Sequence, residues 1–520
     1  MASVKGEGGA GEVVTLQLGG GANHVGSHLW NLVLEEEAHR SPGGATSQDL
    51  SVLLAETKTG ERQPRTACFD LSGTVGTSYG SGSEESAAET WSTDRLSVSL
   101  AEGGHGRWTG DEAGAGYRGY WDEYMNLGHQ GRWRSQLITC FPGTWHGVNA
   151  FDCYGDGIEL FSRQDVREGA FDRVRHLVER CDYLQGFQIL ADDLSGFGHI
   201  CSEMILHIRD EVTQSRPLAV VGLRGPFAQD YTVQSNRSET KQAALDCINR
   251  AWATYRLSEA SDAHIVLDNC WFPPGGESQA RTELYETSAL AACLVDSLTL
   301  GCRLFDSASL GSLRDIMTRL NPRGKKCALA ACAYGVVKQG DPEAEVVLRS
   351  ATRVCPASKL DKGTQSEYYV LRGLQKGGEA GGTISTEREA QDWFVSQWME
   401  GGGGQMGPCP RSFASCGTPH LVPAHYPSTK ILSPSARAPV QGGFSLASMV
   451  RFSKCDALGN ELASLCENFK RVCVKPGSPS VFSVLEGWDL GAEDRLEMME
   501  TLETMRSEWA GGNFFDDDDD

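Results

Sequence analysis

The segment Glu12-Val-Val-Thr-Leu-Gln-Leu-Gly-Gly-Gly-Ala-Asn23 decides the fold class of this chain. Its first part, Glu12 to Leu18, predicts a short β-strand, and the glycines from Gly19 to Gly21 predict a turn. Apolar side chains then recur at helical spacing, which predicts a helix from about Ala22 to Glu37. A strand, a turn and a helix in this order form the unit from which α/β sheets are built.

The same alternation continues through the first 300 residues. Apolar runs predict strands at 66–71, 184–190, 217–223 and 263–267. Amphipathic periodicity predicts helices at 171–181, 200–212, 240–257 and about 286–304. Such alternation predicts an α/β fold whose mostly parallel sheet is covered by helices. Ligands of these sheets usually bind at the carboxyl ends of the strands, where the loops that begin at Gly19, Asp70, Ala191 and Asp268 would gather.

The pattern divides the 520 residues into six blocks. We expect a first block at 10–75, a flexible insert rich in Gly, Ser and Glu at 76–119, the main domain at 120–322, a smaller, irregular α+β domain at 323–455, C-terminal helices at 456–511 and an acidic tail at 512–520. Two apolar stripes predict the C-terminal helices. The stripes consist of Leu462, Leu465, Cys466, Phe469 and Val472, and of Leu496, Met499, Leu502 and Trp509.

Composition excludes several functional classes. The 47 basic and 69 acidic side chains give a net charge of −22 without any Lys/Arg cluster, which argues against nucleic-acid binding. No apolar run reaches the roughly 18 to 20 residues of a membrane-spanning helix. Residues 1–12 resemble neither a secretory signal nor a mitochondrial presequence. The 17 cysteines contain no Cys-x-x-Cys pair, so a cytosolic protein with reduced cysteines is expected.

The order of motifs along the chain resembles that of tubulin. Residues 17–26, Gln-Leu-Gly-Gly-Gly-Ala-Asn-His-Val-Gly, resemble its first strand, phosphate loop and helix, and residues 64–75 resemble its third nucleotide loop. Residues 171–187 resemble the helix and strand that lead to its glycine signature. Further similarities are Asp268-Asn269 and Tyr285 at the base-binding positions, and Phe469 to Val472, Glu486-Gly487 and the acidic end at the carboxyl terminus.

A more specific combination of motifs is similar to the Misato family of tubulin-related proteins. It comprises Cys181 to Leu190 with the Gly-Phe-Gly loop that follows, Leu16-Gln-Leu-Gly19 and His28-Leu-Trp-Asn31, with weaker similarity at Tyr120-Trp121-Asp122 and Arg134-Ser135. The resemblance implies a tubulin-like fold and a non-enzymatic role in mitochondrial distribution, morphology, fusion and inheritance. It also implies peripheral attachment to the mitochondrial outer membrane, a cytoplasmic pool, and protein partners at the mitochondrial surface, the cytoskeleton or a chaperonin. The alternative is a GTP-binding, polymerising cytoskeletal or spindle protein.

The resemblance further implies a guanine-nucleotide pocket, whose matching residues are Gly19, Gly21, Asn23, Asp70, Gly196, Gly198, Asn269 and Tyr285. The fourth loop, Ser195 to Ile200, carries Phe197, His199 and Ile200 where tubulins have Gly-Gly-Gly-Thr-Gly-Ser-Gly, which predicts weak phosphate binding. The hydrolytic loop, Leu310 to Asp315, keeps one carboxylate at Asp315, so GTP hydrolysis is not expected. We therefore expect a vestigial or weak pocket with no resident cofactor, no metal and no catalytic residue, and GTP binding is the alternative.

Other motifs allow competing interpretations. Gly76-Thr-Ser78-Tyr-Gly80 fits a hydrolase nucleophile elbow, but a Gly/Ser-rich stretch follows it instead of a helix. His24 and His28 are spaced like a zinc-binding pair, although no third ligand is evident. Asn236-Arg-Ser238 is a glycosylation sequon, which is inert without secretory entry. The tail at Asp516 to Asp520 either recruits a partner or favours solubility.

Overall fold

The structure is a computed structural model. It describes residues 11–39, 48–58, 60–72, 74, 121, 137–142, 151–224, 239–268, 284–305, 311–321, 326–338, 365–374, 384, 386, 388–392, 409–423, 444–454, 456–474, 485, 488 and 490–510. The predicted insert at 76–119 and the predicted tail at 512–520 lie outside these ranges.

Thirteen strands occur within the described residues. They are β1 (Glu12–Leu18), β2 (Leu54–Glu56), β3 (Arg62–Pro64), β4 (Thr66–Leu71), β5 (Ile138–Phe141), β6 (Leu184–Ala191), β7 (Leu218–Arg224), β8 (Ala263–Asp268), β9 (Cys327–Lys338), β10 (Ser366–Arg372), β11 (Arg411–Cys416), β12 (His420–Leu421) and β13 (Phe444–Lys454).

The same part of the chain contains ten α-helices. They are α1 (Gly20–Ala38), α2 (Tyr154–Ser162), α3 (Gln164–Glu179), α4 (Gly196–His207), α5 (Glu239–Ala260), α6 (Leu284–Leu298), α7 (Leu300–Arg303), α8 (Leu313–Leu320), α9 (Asp456–Phe469) and α10 (Ala492–Ala510). None of these helices is long and apolar enough to cross a membrane.

Six strands form a parallel sheet in the order β5, β4, β1, β6, β7 and β8. The helices that connect them contribute to two hydrophobic clusters, one on each face of the sheet. Val13 of β1 belongs to one cluster, whereas Val14, Leu16 and Leu18 belong to the other. Both faces of β1 are therefore covered, and the predicted α/β architecture with a mostly parallel sheet is confirmed.

The sheet continues beyond β8 into the segment that the sequence assigns to a second domain. β9 pairs in parallel with β8 through three residue pairs, from His264 with Cys327 to Val266 with Leu329. β13 is antiparallel to both β9 and β10, and β11 lies parallel to β10. The strands between residues 323 and 455 thus extend the same sheet, and the domain boundary at 322 stays a prediction.

A buried ionic cluster ties this extension to the helices of the first half. Arg372 of β10 forms ion pairs with Glu36 of α1, at 2.6 Å, and with Asp296 of α6. Asp296 also pairs with Arg303 at 2.7 Å. Burial opposes ionisation here, but Arg303 and Arg372 hold the pKa of Asp296 well below its usual value. The cluster therefore fixes β10 against α1 and α6 by charge as well as by apolar contact.

The last helix differs from its predicted apolar stripe. Leu496 is 51% exposed, whereas Met498, Met499 and Leu502 are buried. At ~100° per residue, Leu496 lies about 160° around the helix from Met498 and about 120° from Leu502, so it lies at the margin of the contact surface, beside Met499. α10 packs instead through its methionines against α5 and α9. The prediction was wrong for Leu496, and Trp509 has no described side chain.

Candidate functional site

The carboxyl ends of β1, β4 and β6 lie side by side at one edge of the sheet. Gly19 follows β1, and its N–H donates to the Phe69 carbonyl of β4 over 3.0 Å. Asp192 follows β6, and its N–H donates to the Leu18 carbonyl of β1 over 3.0 Å. Gly19 has a φ of 103°, which side chains rarely tolerate, so the turn requires glycine. The turn after β1 is thus fixed between the two neighbouring strands.

A carboxyl group from the loop after β6 occupies the first turn of α1. The N–H of Gly21 donates to Oδ2 of Asp192, and the N–H of Ala22 donates to Oδ1, each over 2.8 Å. The first turn of α1 contains no acidic residue of its own, and Gly19 provides no side-chain cap. Asp192 therefore supplies acceptors for N–H groups that a helix N-terminus leaves unsatisfied.

Asp192 is a weak acid in this environment. Burial raises its pKa from 3.8 to about 8, and the nearby Asp70 and Asp193 carboxyls act in the same direction. The hydrogen bonds from Gly21 and Ala22 oppose this shift without cancelling it. The carboxyl group can accept both N–H bonds whether or not it holds a proton.

Asp70, at the end of β4, is also satisfied by the chain itself. The indole Nε1 of Trp121 donates to its Oδ2 over 2.7 Å, and Nδ2 of Asn23 donates to the same oxygen over 3.1 Å. The Leu71 N–H donates to its Oδ1 over 2.8 Å. Burial raises the pKa of Asp70, and these donors lower it. The side chain is therefore held within a closed set of internal partners.

The next residue after Asp192 anchors the loop to the sheet. Asp193 is fully buried and receives a hydrogen bond from Nε of Arg224 over 2.9 Å. Nε2 of His264 lies 3.2 Å from Oδ2 of Asp193. Although burial alone would raise the pKa of Asp193, Arg224 and His264 hold it at about 2. This ion pair fixes the backbone that carries Asp192.

The glycines of the fourth loop allow close packing between helices. A Cβ at Gly196 would overlap with the Phe151 ring and lie 2.8 Å from the Gly157 nitrogen. A Cβ at Gly198 would lie 2.5 Å from the Asp193 carbonyl oxygen. The backbone of both glycines is therefore already in contact with the chain.

The bulky residues of this loop belong to the core. The Phe197 ring lies 5.1 Å from that of Phe151 and 6.5 Å from that of Phe141. Burial, with a contribution from Arg256, lowers the pKa of His199 to about 4. The Ser195 hydroxyl accepts from the Phe197 N–H over 3.2 Å and so caps α4. The N-terminus of α4 is thereby satisfied by its own loop.

The described part of the predicted hydrolytic loop also caps a helix. The Asp315 N–H donates to the Ser312 hydroxyl over 3.2 Å at the start of α8, and the Ser312 hydroxyl donates to the Asp315 carboxylate. These contacts satisfy the α8 N-terminus, so Asp315 has a local structural role. Leu310 lies outside the described residues.

The structure brings six of the eight predicted pocket residues to the same edge of the sheet. They are Gly19, Gly21, Asn23, Asp70, Gly196 and Gly198. Asn269 lies outside the described residues, and Tyr285 lies in α6 with no described side chain. Ser78 and Asn236 are likewise outside the described ranges.

One histidine of the predicted pair bonds within its own helix, and a group of ligand-type atoms occurs elsewhere among the described residues, at the start of α2. Nδ1 of His24 lies 2.7 Å from the Gly20 carbonyl oxygen, within the first turns of α1. Ligand-type atoms of Asp152, Cys153 and Asp156 lie within 4.8 Å of one another. The Cys153 N–H donates to the Asp156 carboxylate over 3.0 Å at the start of α2, so capping explains this proximity.

Sequence reasoning did not identify the two residues that close the site, Asp192 and Trp121, as site residues. The available signal for Asp192 was a pair of acidic residues directly after a buried strand that neighbours the glycine turn. Trp121 gave no signal of this kind because it is separated from Asp70 by 51 residues.

The described residues do not fit the phosphates of a guanine nucleotide in this arrangement. The two N–H groups of the α1 first turn already donate to Asp192, and Asp70 already accepts from Trp121 and Asn23. A phosphate would need those backbone donors and the space that the carboxyl group fills. Binding would therefore require displacement of Asp192.

Comparison with known proteins identifies two family matches. Residues 11–109 match the Misato Segment II tubulin-like domain, and residues 119–304 match a tubulin domain. The two matches follow one another along the chain and include every strand of the parallel sheet from β1 to β8. They confirm the tubulin-like fold expected from the sequence.

Several curated relatives carry related names. The chain is 24% identical over 383 residues to "Protein misato" of Drosophila melanogaster, an alignment that covers 62% of this chain and 64% of the fly protein. It is 26% identical to "Protein dml1" of Aspergillus clavatus, over 56% of this chain and 60% of the fungal protein. It is 25% identical to "Protein misato homolog 1" of Mus musculus, over 69% and 75%. The chain thus spans less than two thirds of the fly and Aspergillus proteins.

Proposed function

We propose that this chain, a tubulin-like protein of the Misato type, regulates mitochondrial distribution, morphology and inheritance through protein contacts rather than by nucleotide hydrolysis. The observation that carries the nucleotide-independent part is the Asp192 carboxyl group on the first turn of α1. The mitochondrial part follows the family resemblance. The proposed mitochondrial role includes fusion of the organelle and inheritance of its DNA.

The arrangement of the hydrolytic loop supports a non-enzymatic role. An enzyme that transfers a phosphoryl group to water needs a positioned side chain to orient that water. Ser312 and Asp315 instead bond to each other at the start of α8. Their role in capping supports the proposal that the chain acts through its surfaces.

The charge of the chain favours attachment through a protein receptor. The cytoplasmic leaflets of membranes are negatively charged, and the chain has a net charge of −22. Direct binding to an anionic lipid surface would therefore be opposed by repulsion. We expect a cytoplasmic pool and a peripheral pool at the mitochondrial outer membrane, released from the mitochondrial fraction at high pH.

The second candidate is a GTP-binding, polymerising cytoskeletal or spindle protein. The tubulin-domain match at 119–304 and the retained Gly19, Asn23 and Asp70 favour it. The internal partners of Asp70 and of the α1 first turn disfavour it. Measurement of bound nucleotide separates the two candidates.

The deciding experiment measures how much guanine nucleotide is bound to the purified chain. The protein is purified with magnesium present and denatured, and the released guanine nucleotide per chain is measured by chromatography. We expect only background amounts, and no binding when GTP is added. Near-stoichiometric GTP or GDP would favour the second candidate.

The mitochondrial role is tested by depletion and rescue in cells. Depletion should alter the distribution and shape of mitochondria, and the wild-type chain should restore them. The Asp192→Asn variant keeps the shape of the carboxyl group but only one of its two acceptor oxygens, and it should also restore them if it folds. Unaltered mitochondria after complete depletion would contradict the proposal.

A further inference from the structure

We infer that the Asp192 carboxyl group is an internal ligand of the α1 N-terminus and is the residue that excludes external phosphate groups from this site. The inference rests on the proposed nucleotide-independent function and identifies the group responsible for it. It predicts that an anion site persists beneath Asp192 and becomes available when the carboxyl group is removed.

The contact geometry is that of a ligand in a prepared site. The two carboxyl oxygens are shared between two successive backbone N–H groups, Oδ2 with Gly21 and Oδ1 with Ala22, both at 2.8 Å. A Cβ at Gly19 would lie 2.5 Å from Oδ2 of Asp192, so the absence of a side chain there permits the approach. Backbone N–H groups of this kind at a helix N-terminus also suit phosphate oxygens.

The carboxyl group reaches the helix from a distant part of the chain. Asp192 lies 170 residues after Ala22, and the first turn of α1 has no acidic residue of its own. An ordinary N-cap is supplied by the residue that precedes the helix, and here that residue is Gly19. The acceptor is therefore supplied across the sheet edge, as an external ligand would be.

The backbone of Asp192 is fixed on both sides. Its N–H donates to the Leu18 carbonyl over 3.0 Å, and its carbonyl accepts from the Ser195 hydroxyl over 2.8 Å. The following Asp193 is held by Arg224 and His264. Such anchoring gives the carboxyl group a high effective concentration at the α1 first turn, which a diffusing phosphate must overcome.

A second observation indicates that this region was not built for the carboxyl group alone. Oδ1 of Asn23 is buried and has no hydrogen-bond donor among the residues that the structure describes. Asn23 lies one residue beyond Ala22, and its Nδ2 bonds the Phe69 carbonyl and Asp70. Because Oδ1 is an acceptor, it requires a ligand that carries a donor as well as acceptors, and the P–OH of a singly protonated pyrophosphate meets that requirement.

The alternative is that Asp192 is a stabilising cap with no site beneath it. Removal of the carboxyl group would then reduce stability without creating affinity for any anion. The two possibilities therefore differ in whether removal of the carboxyl group creates affinity for an anion. A purely structural role would not create it.

The test compares binding of inorganic pyrophosphate by calorimetry to the full chain and three variants. Asp192→Ala removes the carboxyl group, so it should bind pyrophosphate at least about tenfold more tightly than the wild type. A tenfold gain corresponds to ~1.4 kcal/mol of binding free energy. Asp192→Asn keeps the volume of the site filled but replaces one acceptor oxygen with an amide N–H donor, so it should gain much less affinity for pyrophosphate than Asp192→Ala. Asp172→Ala removes an exposed carboxylate of α3 and is the matched control.

Folding of the opened variant is part of the test. If Asp192→Ala lacks a cooperative unfolding transition, pyrophosphate should restore it, because a ligand of the native state shifts the folding equilibrium. A folded Asp192→Ala chain without gained affinity contradicts the inference, and so does an unfolded one that pyrophosphate does not rescue.

Two further arms identify the ligand class and separate the inference from the proposed function. GTP should compete with pyrophosphate for Asp192→Ala, whereas guanosine should not, because the site recognises phosphate. Tight binding of pyrophosphate or GTP to the wild type would contradict both the inference and the proposed function. Failure of Asp192→Ala alone would contradict only the inference.

Discussion

The indole Nε1 of Trp121 donates to Oδ2 of Asp70 over 2.7 Å, and both side chains are buried. The carbonyl of Trp121 also accepts from the Ser27 hydroxyl of α1 over 3.2 Å. Trp121 thus joins the end of β4 to α1. A residue from outside the regular strands completes the partners of a buried carboxyl group.

Loss of this hydrogen bond should destabilise the fold. We expect Trp121→Phe to lower the free energy of unfolding by about 1 to 3 kcal/mol beyond the packing loss, because Asp70 stays buried without its donor. Urea denaturation measures the change. Trp30→Phe is the control, since Trp30 is equally buried and its Nε1 has no partner in the described part of the chain. Equal losses in the two variants would show that the bond to Asp70 contributes nothing.

The raised pKa of Asp192 predicts a pH dependence of stability. The unfolded carboxyl group ionises near pH 3.8, whereas the folded one keeps its proton up to about pH 8. Folding therefore takes up a proton between these values, so this contribution is complete below about pH 4 and is lost as the pH rises to about 8.

The measurement is the free energy of unfolding of the wild type minus that of Asp192→Asn, from pH 4 to pH 8. The difference should fall with increasing pH, by at most about 1.4 kcal/mol per unit. Asp172→Asn reports the effect of removing one exposed carboxylate from the same fold. A difference that stays flat or rises between pH 4 and pH 8 would mean that Asp192 is already ionised in the folded chain.

The contacts around Gly196 predict that a substitution there lowers stability by disturbing helix packing. A methyl group there would overlap with the Phe151 ring and lie 2.8 Å from the Gly157 nitrogen, so α2 and α4 would have to separate. We expect Gly196→Ala to cost about 1 to 3 kcal/mol of stability. Gly311→Ala is the control, because no atom in the described part of the chain lies within 4 Å of its Cβ position, and it should change stability by less than about 0.5 kcal/mol. Thermal or urea unfolding of both variants measures the two changes in stability, and equal changes would contradict the predicted packing effect.

The ionic cluster predicts that one arginine holds the sheet extension in place. Arg372→Met removes a buried partner from both Glu36 and Asp296, and we expect a loss of about 3 to 5 kcal/mol. Arg62→Met removes a partly exposed arginine that lies 3.5 Å from Glu37, and it should cost less than about 1 kcal/mol. Hydrogen exchange should show increased opening of β10 in the first variant. Unchanged hydrogen exchange in β10 of Arg372→Met would mean that Arg372 does not hold this strand in place.

Local sequence pattern was sufficient for the parallel sheet but not for all of its contacts. The run from Glu12 to Leu18 and the strand after Asp182 are apolar and bounded by turn residues, so both were placed within a residue or two. Leu496 was misplaced because a helix with several apolar residues offers more than one stripe. Pattern alone does not indicate which stripe meets α5 and α9.

The closure of the site could not be predicted for a different reason. The contacts from Asp192 to Gly21 and from Trp121 to Asp70 join residues 171 and 51 positions apart. No periodicity links such pairs, because they meet only once the sheet order β4, β1, β6 is formed. The glycines at 196 and 198 were predicted to lie in a nucleotide pocket, but sequence cannot distinguish close contact with a phosphate from close contact with Phe151 or Asp193.

Because Asp192 belongs to the same molecule as the helix that it contacts, occupancy of the α1 first turn does not obey mass action with any soluble metabolite. A dissociable ligand stabilises a fold in proportion to the logarithm of its concentration relative to its dissociation constant. A ligand that belongs to the same chain stabilises the fold by a constant free energy, whatever the concentrations of metabolites in the cell. Purine starvation, or a changed ratio of guanosine tri- to diphosphate, would therefore leave this edge of the sheet as it is.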